Sequence, residues 1–317
     1  MQYSKKYVVV GGAGFIGSHL TDRLLENGHQ VIVLDDMSSG LKSNVQASAE
    51  LVVGDAGDAN LLEKILPGSD AVFHLAAVSS VQDSLDRPLD VHHTNLTITL
   101  RLLEACCNHG VKKFIFSSSA AVYGDTGSEP AREDMKPRPL SHYAVQKLAS
   151  EYYCAVYQRL YGLQAISLRY FNIFGPRQRA DSPYSGVIAR FIDKAKKGQP
   201  ITIYGDGSQT RDFCPVSNVV NANIVAAELN LDGVASSIFN IGTGCPTSVS
   251  DLATAIRSLY PVAPEVVLEL ARIGEIYFSV ADISCASKYL GYQPAHSFEN
   301  AIQELVQYYS VENENPK

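Results

Sequence analysis

Residues 7–28 read YVVVGGAGFIGSHLTDRLLENG, and the fold is decided there. The apolar, β-branched run at 7–10 has the composition of a buried strand, and glycines follow it at once. Residues 14–27 then carry helical spacing and stop at Gly28, a residue suited to the left-handed turn beyond a helix end. Gly11, Gly14 and Gly17 fit a G-x-x-G-x-x-G spacing, while Gly12, Gly14 and Gly17 fit the commoner G-x-G-x-x-G. In either alignment the missing side chains let backbone N–H groups approach a pyrophosphate at the positive end of the helix.

Outward from this unit, apolar runs at 31–34, 51–53, 71–75, 113–117 and 165–170 alternate with amphipathic stretches, among them long helical patterns at 88–108 and 141–161. With 7–10 they predict six strands in a Rossmann-type doubly wound α/β fold, a parallel sheet with helices on both faces and its ligand beyond the carboxyl ends of the strands. We therefore divide the chain into a dinucleotide-binding domain at 1–171 and a smaller substrate-binding α/β region at 172–317, some of whose segments should pack back on the first. In the second part, proline and glycine punctuate helices at 187–197, 218–229, 249–259 and 298–309, with strand-like runs such as 201–204 between them. No flexible linker separates the parts, so the cleft should lie between packed neighbours.

The bulk properties narrow the partners. A net charge of −7 disfavours nucleic acid and anionic membrane surfaces, which demand a basic face. Nothing approaches the run of about 20 apolar residues that crosses a bilayer, so the reading is a cytoplasmic protein with no membrane partner. Six cysteines without C-x-x-C spacing predict reduced, mostly buried thiols, and the eight histidines show no ligand pattern, so no metal is expected.

Asp35 stands 18 residues beyond Gly17, directly after VIVL, with Asp36 beside it. A carboxylate there can accept the ribose hydroxyls of an adenosine and would repel a 2′-phosphate, which predicts NAD rather than NADP. Asp35 is assigned this role, with Asp36 as its competitor. Asp55, after the third strand and next to Ala56, could accept from the adenine amino group, and Asp58 is placed to cap a helix.

Tyr143 and Lys147 lie four residues apart in SHYAVQKLASEY, on one helix face. A phenol is a poor base at neutral pH, but a nearby ammonium and a nicotinium cation favour phenolate, so Tyr143 could move a proton while a cofactor moves a hydride. About thirty residues earlier a strand ends in FIFSSSAAVYG, delivering the hydroxyls of Ser117, Ser118 and Ser119 to the sheet edge. The spacing alone does not choose among the three.

GGAGFIGSHL (11–20), VVGD (52–55), HLAA (74–77), FIFSSSAAVYG (114–124), YAVQK (143–147), LRYFNIFGPRQ (168–178), YGDGSQTRDF (204–213), FNIGTG (239–244) and SVADISCASKYLGY (279–292) together resemble the extended short-chain dehydrogenase/reductase family, and within it the UDP-hexose 4-epimerases. The resemblance spans nearly the whole chain. It implies Ser119 as the catalytic serine, Tyr143 as general base and Lys147 as the lysine on the nicotinamide ribose. It extends the NAD contacts to Phe15, Ile16, Leu75, Ala76, Ala77, Tyr170 and Phe171. On the substrate side it implies Asn172 at the diphosphate-sugar, Tyr204, Arg211 and Arg272 around the nucleotide, Glu275 at the uridine ribose, and Val81 and Val187 in the lining.

The implied chemistry is NAD-dependent 4-epimerisation of a UDP-sugar with zero net redox change. Seven residues beyond Arg272, at a position where a bulky tyrosine would exclude an N-acetyl group, this chain has Ser279, which extends the expected substrates to UDP-N-acetylglucosamine and UDP-N-acetylgalactosamine. In ARIGE (271–275), Ile273 and Glu275 replace the usual proline and aspartate, keeping the charge but altering stiffness and reach. The helices at 88–108 and 141–161 match those that form a four-helix dimer bundle in relatives, so a homodimer is expected.

Four other readings compete with this one. A 4,6-dehydratase needs an acidic pair after the serine, where this chain has Ala120 and Ala121, and a decarboxylase acting on UDP-glucuronate also expects an acid there. An NAD-linked nucleotide-sugar dehydrogenase would use the same triad but accumulate NADH. A non-catalytic nucleotide-sensing scaffold would have no need of Ser119, Tyr143 and Lys147 together.

Overall fold

The computed structural model describes residues 4–178, 186–232, 234, 236–271 and 276–311. Its first half runs β1 (Lys6–Val10), α1 (Phe15–Glu26), β2 (Gln30–Asp35), β3 (Glu50–Val53), α2 (Ala59–Ile65), β4 (Ala71–His74), α3 (Val81–Asp86), α4 (Pro88–His92), α5 (Ile98–Asn108), β5 (Lys113–Ser119), α6 (His142–Tyr161) and β6 (Gln164–Tyr170). The second half adds β7 (Asn172–Phe174), α7 (Val187–Lys196), β8 (Ile201–Tyr204), β9 (Thr210–Arg211), β10 (Phe213–Pro215), α8 (Val216–Glu228), β11 (Ile238–Ile241), β12 (Thr247–Ser248), α9 (Val249–Arg257), β13 (Val266–Glu269), β14 (Phe278–Ser279), α10 (Ser284–Leu290) and α11 (Phe298–Val311).

The main sheet is parallel throughout, in the order β11-β6-β5-β4-β1-β2-β3. Its alternating residues feed two cores, as the two-residue period of a strand requires. Val9 faces one core with Leu20, Phe73 and Val219, while Val8 and Val10 face the other with Leu102, Phe114 and Phe116. A separate core of Phe174, Phe191, Ile203, Leu252 and Leu305 supports the later segments. Strand order reverses between β1 and β4, and the loops after these two strands therefore part to leave a crevice.

Two expectations need correction. The sheet has seven strands rather than six, because β11 pairs in parallel with β6, Ile238 opposite Ser167 through Ile241 opposite Tyr170. The long helix expected over 88–108 is broken at 93–97 by a π-helical turn. The widened turn accommodates Asn95, which is buried and bonds the backbone of Val78 in both directions, at 2.9 and 3.0 Å.

Among the described residues no helix is long and apolar enough to cross a membrane. Cys106, Cys154 and Cys214 are buried and Cys107 and Cys285 are partly so, while Cys245, which is exposed, departs from the expectation of mostly buried thiols.

Candidate active site

The glycine loop sits at the switch point. Gly11 has φ +81°, and a Cβ there would come 2.5 Å from the backbone nitrogen of Ala76 in the segment after β4. A Cβ on Gly17 would overlap the carbonyl of Gly11, so α1 can approach the loop only without it. Gly14 is the N-cap of α1, with no side-chain cap and no acidic residue in the first turn. The first N–H groups of the helix and its positive dipole end are thus left for an external anion, which is what the pyrophosphate of a dinucleotide supplies.

Asp35, at the end of β2, is buried and accepts from the backbone N–H of Ala13 and of Met37, both at 2.9 Å. Asp36 is exposed and bonds Ser38 in its own turn, so Asp35 is the acid turned to the loop. Asp55 accepts from the N–H of Gly57, Ala56 is buried, and Asp58 caps α2 through the N–H of Asn60. Leu75 and Ala76 both donate to the carbonyl of Val10, which ties the segment after β4 to β1, and Ala77 continues toward Val78. Phe15 and Ile16 open α1 and pack against the first core. The hydroxyl of Tyr170, at the carboxyl end of β6, is taken up by Asn223 of α8, while Phe171 is buried beside Val122 and Tyr123.

The hydroxyls at the end of β5 separate in space. Ser117 donates to the carbonyl of His74 at 2.9 Å, and Ser118 to the carboxylate of Glu151 at 2.5 Å. The side chain of Ser119 accepts from the N–H of Ala121 at 3.2 Å and lies near enough to the phenol of Tyr143 to influence its titration. Burial raises the pKa of Tyr143 and the neighbouring Ser119 hydroxyl lowers it in part. Lys147 is 2% exposed, donates to the carbonyl of Ser117 at 2.7 Å, and has its Nζ 5.8 Å from the Tyr143 ring centre. Burial pushes the ammonium down to about 7, with Glu151 pulling the other way. A lysine poised there holds a charge that neutral pH can remove.

A cleft beyond the sheet is lined by Asn172, Val187, Tyr204 and Arg211 together with Arg190, Phe191, Lys194 and Thr202. Lys194 donates to Thr202 at 2.7 Å, Asn172 donates weakly to the carbonyl of Asp212 at 3.4 Å, and Ser279 stands opposite Arg211 in the β14–β9 register. Arginines and a lysine around an aromatic-lined cleft suit a nucleoside diphosphate. Arg272, Ile273 and Glu275 lie outside the described residues, as does the side chain of Val81 at the start of α3.

Sequence reasoning passed over several neighbours of these groups. Asn95 bonds Gln146, next to Lys147, at 2.9 Å, and nothing in the helical pattern announces it. Glu151 and Arg169 form a buried ion pair. Their signals were available: Glu151 falls four residues after Lys147, and Arg169 interrupts an apolar strand.

The sequence profile of the NAD dependent epimerase/dehydratase family matches residues 7–242. The chain is similar to UDP-glucose 4-epimerase from Thermotoga maritima, solved with UDP-glucose, at 38% identity and TM-score 0.91, covering 96% of this chain and 99% of that one. It is similar to UDP-N-acetylglucosamine 4-epimerase from Methanobrevibacter ruminantium M1, solved with UDP-N-acetylmuramic acid, at 38% identity and TM-score 0.93, covering 98% and 100%. It is also 33% identical to UDP-N-acetyl-alpha-D-glucosaminuronate decarboxylase from Bacillus cytotoxicus over 326 residues, covering 98% of this chain and 99% of that one.

Proposed function

The chain belongs to the NAD dependent epimerase/dehydratase family, and from that premise we propose that it inverts C4 of a UDP-hexose. NAD is the cofactor, and the glycine loop, Asp35 and the Leu75–Ala76 segment would hold it. When bound it supplies a hydride acceptor at C4 that returns the hydride to the opposite face, so no external oxidant is consumed. The observation that carries the reading is the convergence of Ser119, Tyr143 and Lys147 at the end of β5, beside the switch point of the sheet.

In this reading Tyr143 takes the proton of the C4 hydroxyl and later gives it back, Ser119 holds the same oxygen, and the Lys147 ammonium favours the phenolate. Between the two transfers the sugar must turn while its diphosphate stays fixed. Asn172, Arg211, Arg272 and Tyr204 would anchor the nucleotide, with Glu275 at the uridine ribose and Val81 and Val187 in the lining. Such a division spends binding on the part of the substrate that does not react.

Ser279 in place of a bulky wall residue favours acceptance of the N-acetylated pair as well as UDP-glucose and UDP-galactose. Ala120 and Ala121 after the serine offer no proton shuttle for a dehydratase or decarboxylase. A homodimer is inferred from the exposed apolar side chains of Val145, Tyr152, Val156 and Leu160 along α6, joined by Leu85 and Leu89 from α3 and α4. That arrangement suits a bundle of two helices from each subunit.

The test is incubation of the purified protein, without added cofactor, with each of the four UDP-sugars, followed by separation of the epimers. Interconversion within both pairs without NADH release is expected. A stoichiometric rise in NADH on adding NAD⁺, with no epimer formed, would assign a dehydrogenase instead.

A further inference from the structure

We propose that Glu151 is a positioning residue for proton transfer at Tyr143, keeping Lys147 protonated and, through Ser118, fixing the strand end that presents Ser119. The inference rests on the reading of Tyr143 as the proton-transfer group. Tyr143, Lys147 and Glu151 recur every four residues on α6 and so share one face of the helix. Glu151 accepts from Ser118 at 2.5 Å, and Lys147 donates to the carbonyl of Ser117 at 2.7 Å. Two successive residues of β5 are thereby tied to two charged groups of α6. The next residue, Ser119, is the one that acts on the phenol.

The electrostatic half follows from what surrounds the ammonium. Tyr143, Glu151 and Cys154 face Lys147 from α6 and His74 faces it from β4. Burial holds the Cys154 thiol at about 12 and His74 at about 3, so neither carries charge at neutral pH. Glu151 is the anion that opposes the desolvation of Lys147. It is itself buried, and Arg169 grips it with two bonds at 2.8 and 2.6 Å. The Arg169 guanidinium lies 4.7 Å over the Tyr123 ring, whose own hydroxyl donates to Asn240 at 2.6 Å. Glu133, partly buried, also feels the charge of Arg169. A buried pair that served stability alone could be replaced by apolar side chains at little cost. Such a role does not account for the bond from Ser118 to the Glu151 carboxylate, one turn of α6 beyond Lys147.

The test uses NAD-loaded protein, with kcat for UDP-glucose and UDP-galactose followed against pH and melting temperature measured alongside. Glu151→Gln keeps the shape and removes the charge. Its alkaline limb, where Lys147 loses its proton, should fall by about one pH unit, and kcat near pH 8 should fall about tenfold. Ser118→Ala keeps the charge and frees the strand end, so kcat should fall several-fold with both limbs unmoved. Because Glu151→Gln leaves Arg169 unpaired, a Glu151→Gln, Arg169→Met double variant is run as well, and the same direction of limb shift is expected. Limbs that superpose on the wild type in either folded variant overturn the electrostatic role, and an unchanged kcat in Ser118→Ala overturns the positional one. Tyr143→Phe is run in parallel: wild-type turnover there would defeat the reading of the reaction centre itself, a failure separate from that of Glu151.

Discussion

Asp35 accepts the backbone N–H of Ala13 through Oδ2 at 2.9 Å, so the acid that ends β2 is bonded to the glycine loop that follows β1. Its second oxygen takes the N–H of Met37. The carboxylate thus sets the loop's shape and places a negative charge where an adenosine ribose would meet β2. Asp35→Ala should weaken NAD binding about 10- to 100-fold, the equivalent of one or two charge-assisted hydrogen bonds. It should also narrow the preference for NAD over NADP. Titration of cofactor-stripped protein with both dinucleotides checks this, and unchanged affinities would reject it.

Tyr143→Phe should lower kcat by about 10²- to 10⁴-fold, the usual worth of a positioned proton-transfer group, while leaving NAD bound. Ser119→Ala should lose less, since the phenol survives. Single-turnover rates at saturating UDP-glucose measure both.

Most of the strands legible in sequence are buried on both faces and read as uninterrupted apolar runs; β1, β2, β4, β5 and β6 are of this kind. By contrast β3, at the sheet edge and only partly buried, is legible from its short apolar run alone. β11 escaped because IFNI is four residues long and carries Asn240; its strand identity comes from pairing with β6, a non-local fact. The π turn at 93–97 leaves the apolar spacing of the helix almost undisturbed, so no local pattern reports it. The glycine loop and the Tyr143–Lys147 spacing could be read because their geometry is local. The choice among three consecutive serines could not, because it depends on contacts with His74, Glu151 and Tyr143, each far away in the chain.

Ser279 stands opposite Arg211 in register, at the end of a two-residue strand. Ser279→Tyr should abolish turnover of UDP-N-acetylglucosamine and UDP-N-acetylgalactosamine while sparing the plain hexoses within about threefold, as a filled pocket rejects the larger sugar by sterics alone. Equal losses on both pairs would remove Ser279 from the wall.

Leu160 is 66% exposed on α6, in line with Val145, Tyr152 and Val156. Burying this stripe against a second copy would remove apolar surface from water, and a charge in its centre would oppose that. Leu160→Glu should therefore halve the mass measured by sedimentation at micromolar protein. A wild-type protein that already sediments as a monomer would exclude the dimer.

His74 supplies a test at acid pH. Its Nε2 lies 2.9 Å from Thr99 Oγ1, and Thr99 donates its own proton to the carbonyl of Asn95, so the histidine must be the donor. Nδ1 is then a buried acceptor without a partner. Burial first, and the charge of Lys147 second, lower the pKa from 6.5 to about 3. Between those values the unfolded chain binds a proton that the folded chain refuses. Stability is therefore present in full above pH 6.5 and is lost as pH falls toward 3, by an amount on the order of a few kcal/mol. His74→Gln removes the titration, and its melting temperature should fall less steeply than that of the wild type between pH 6.5 and 4. Parallel slopes would mean that the imidazole finds a proton-accepting environment in the folded state, and the unpaired Nδ1 would no longer describe it.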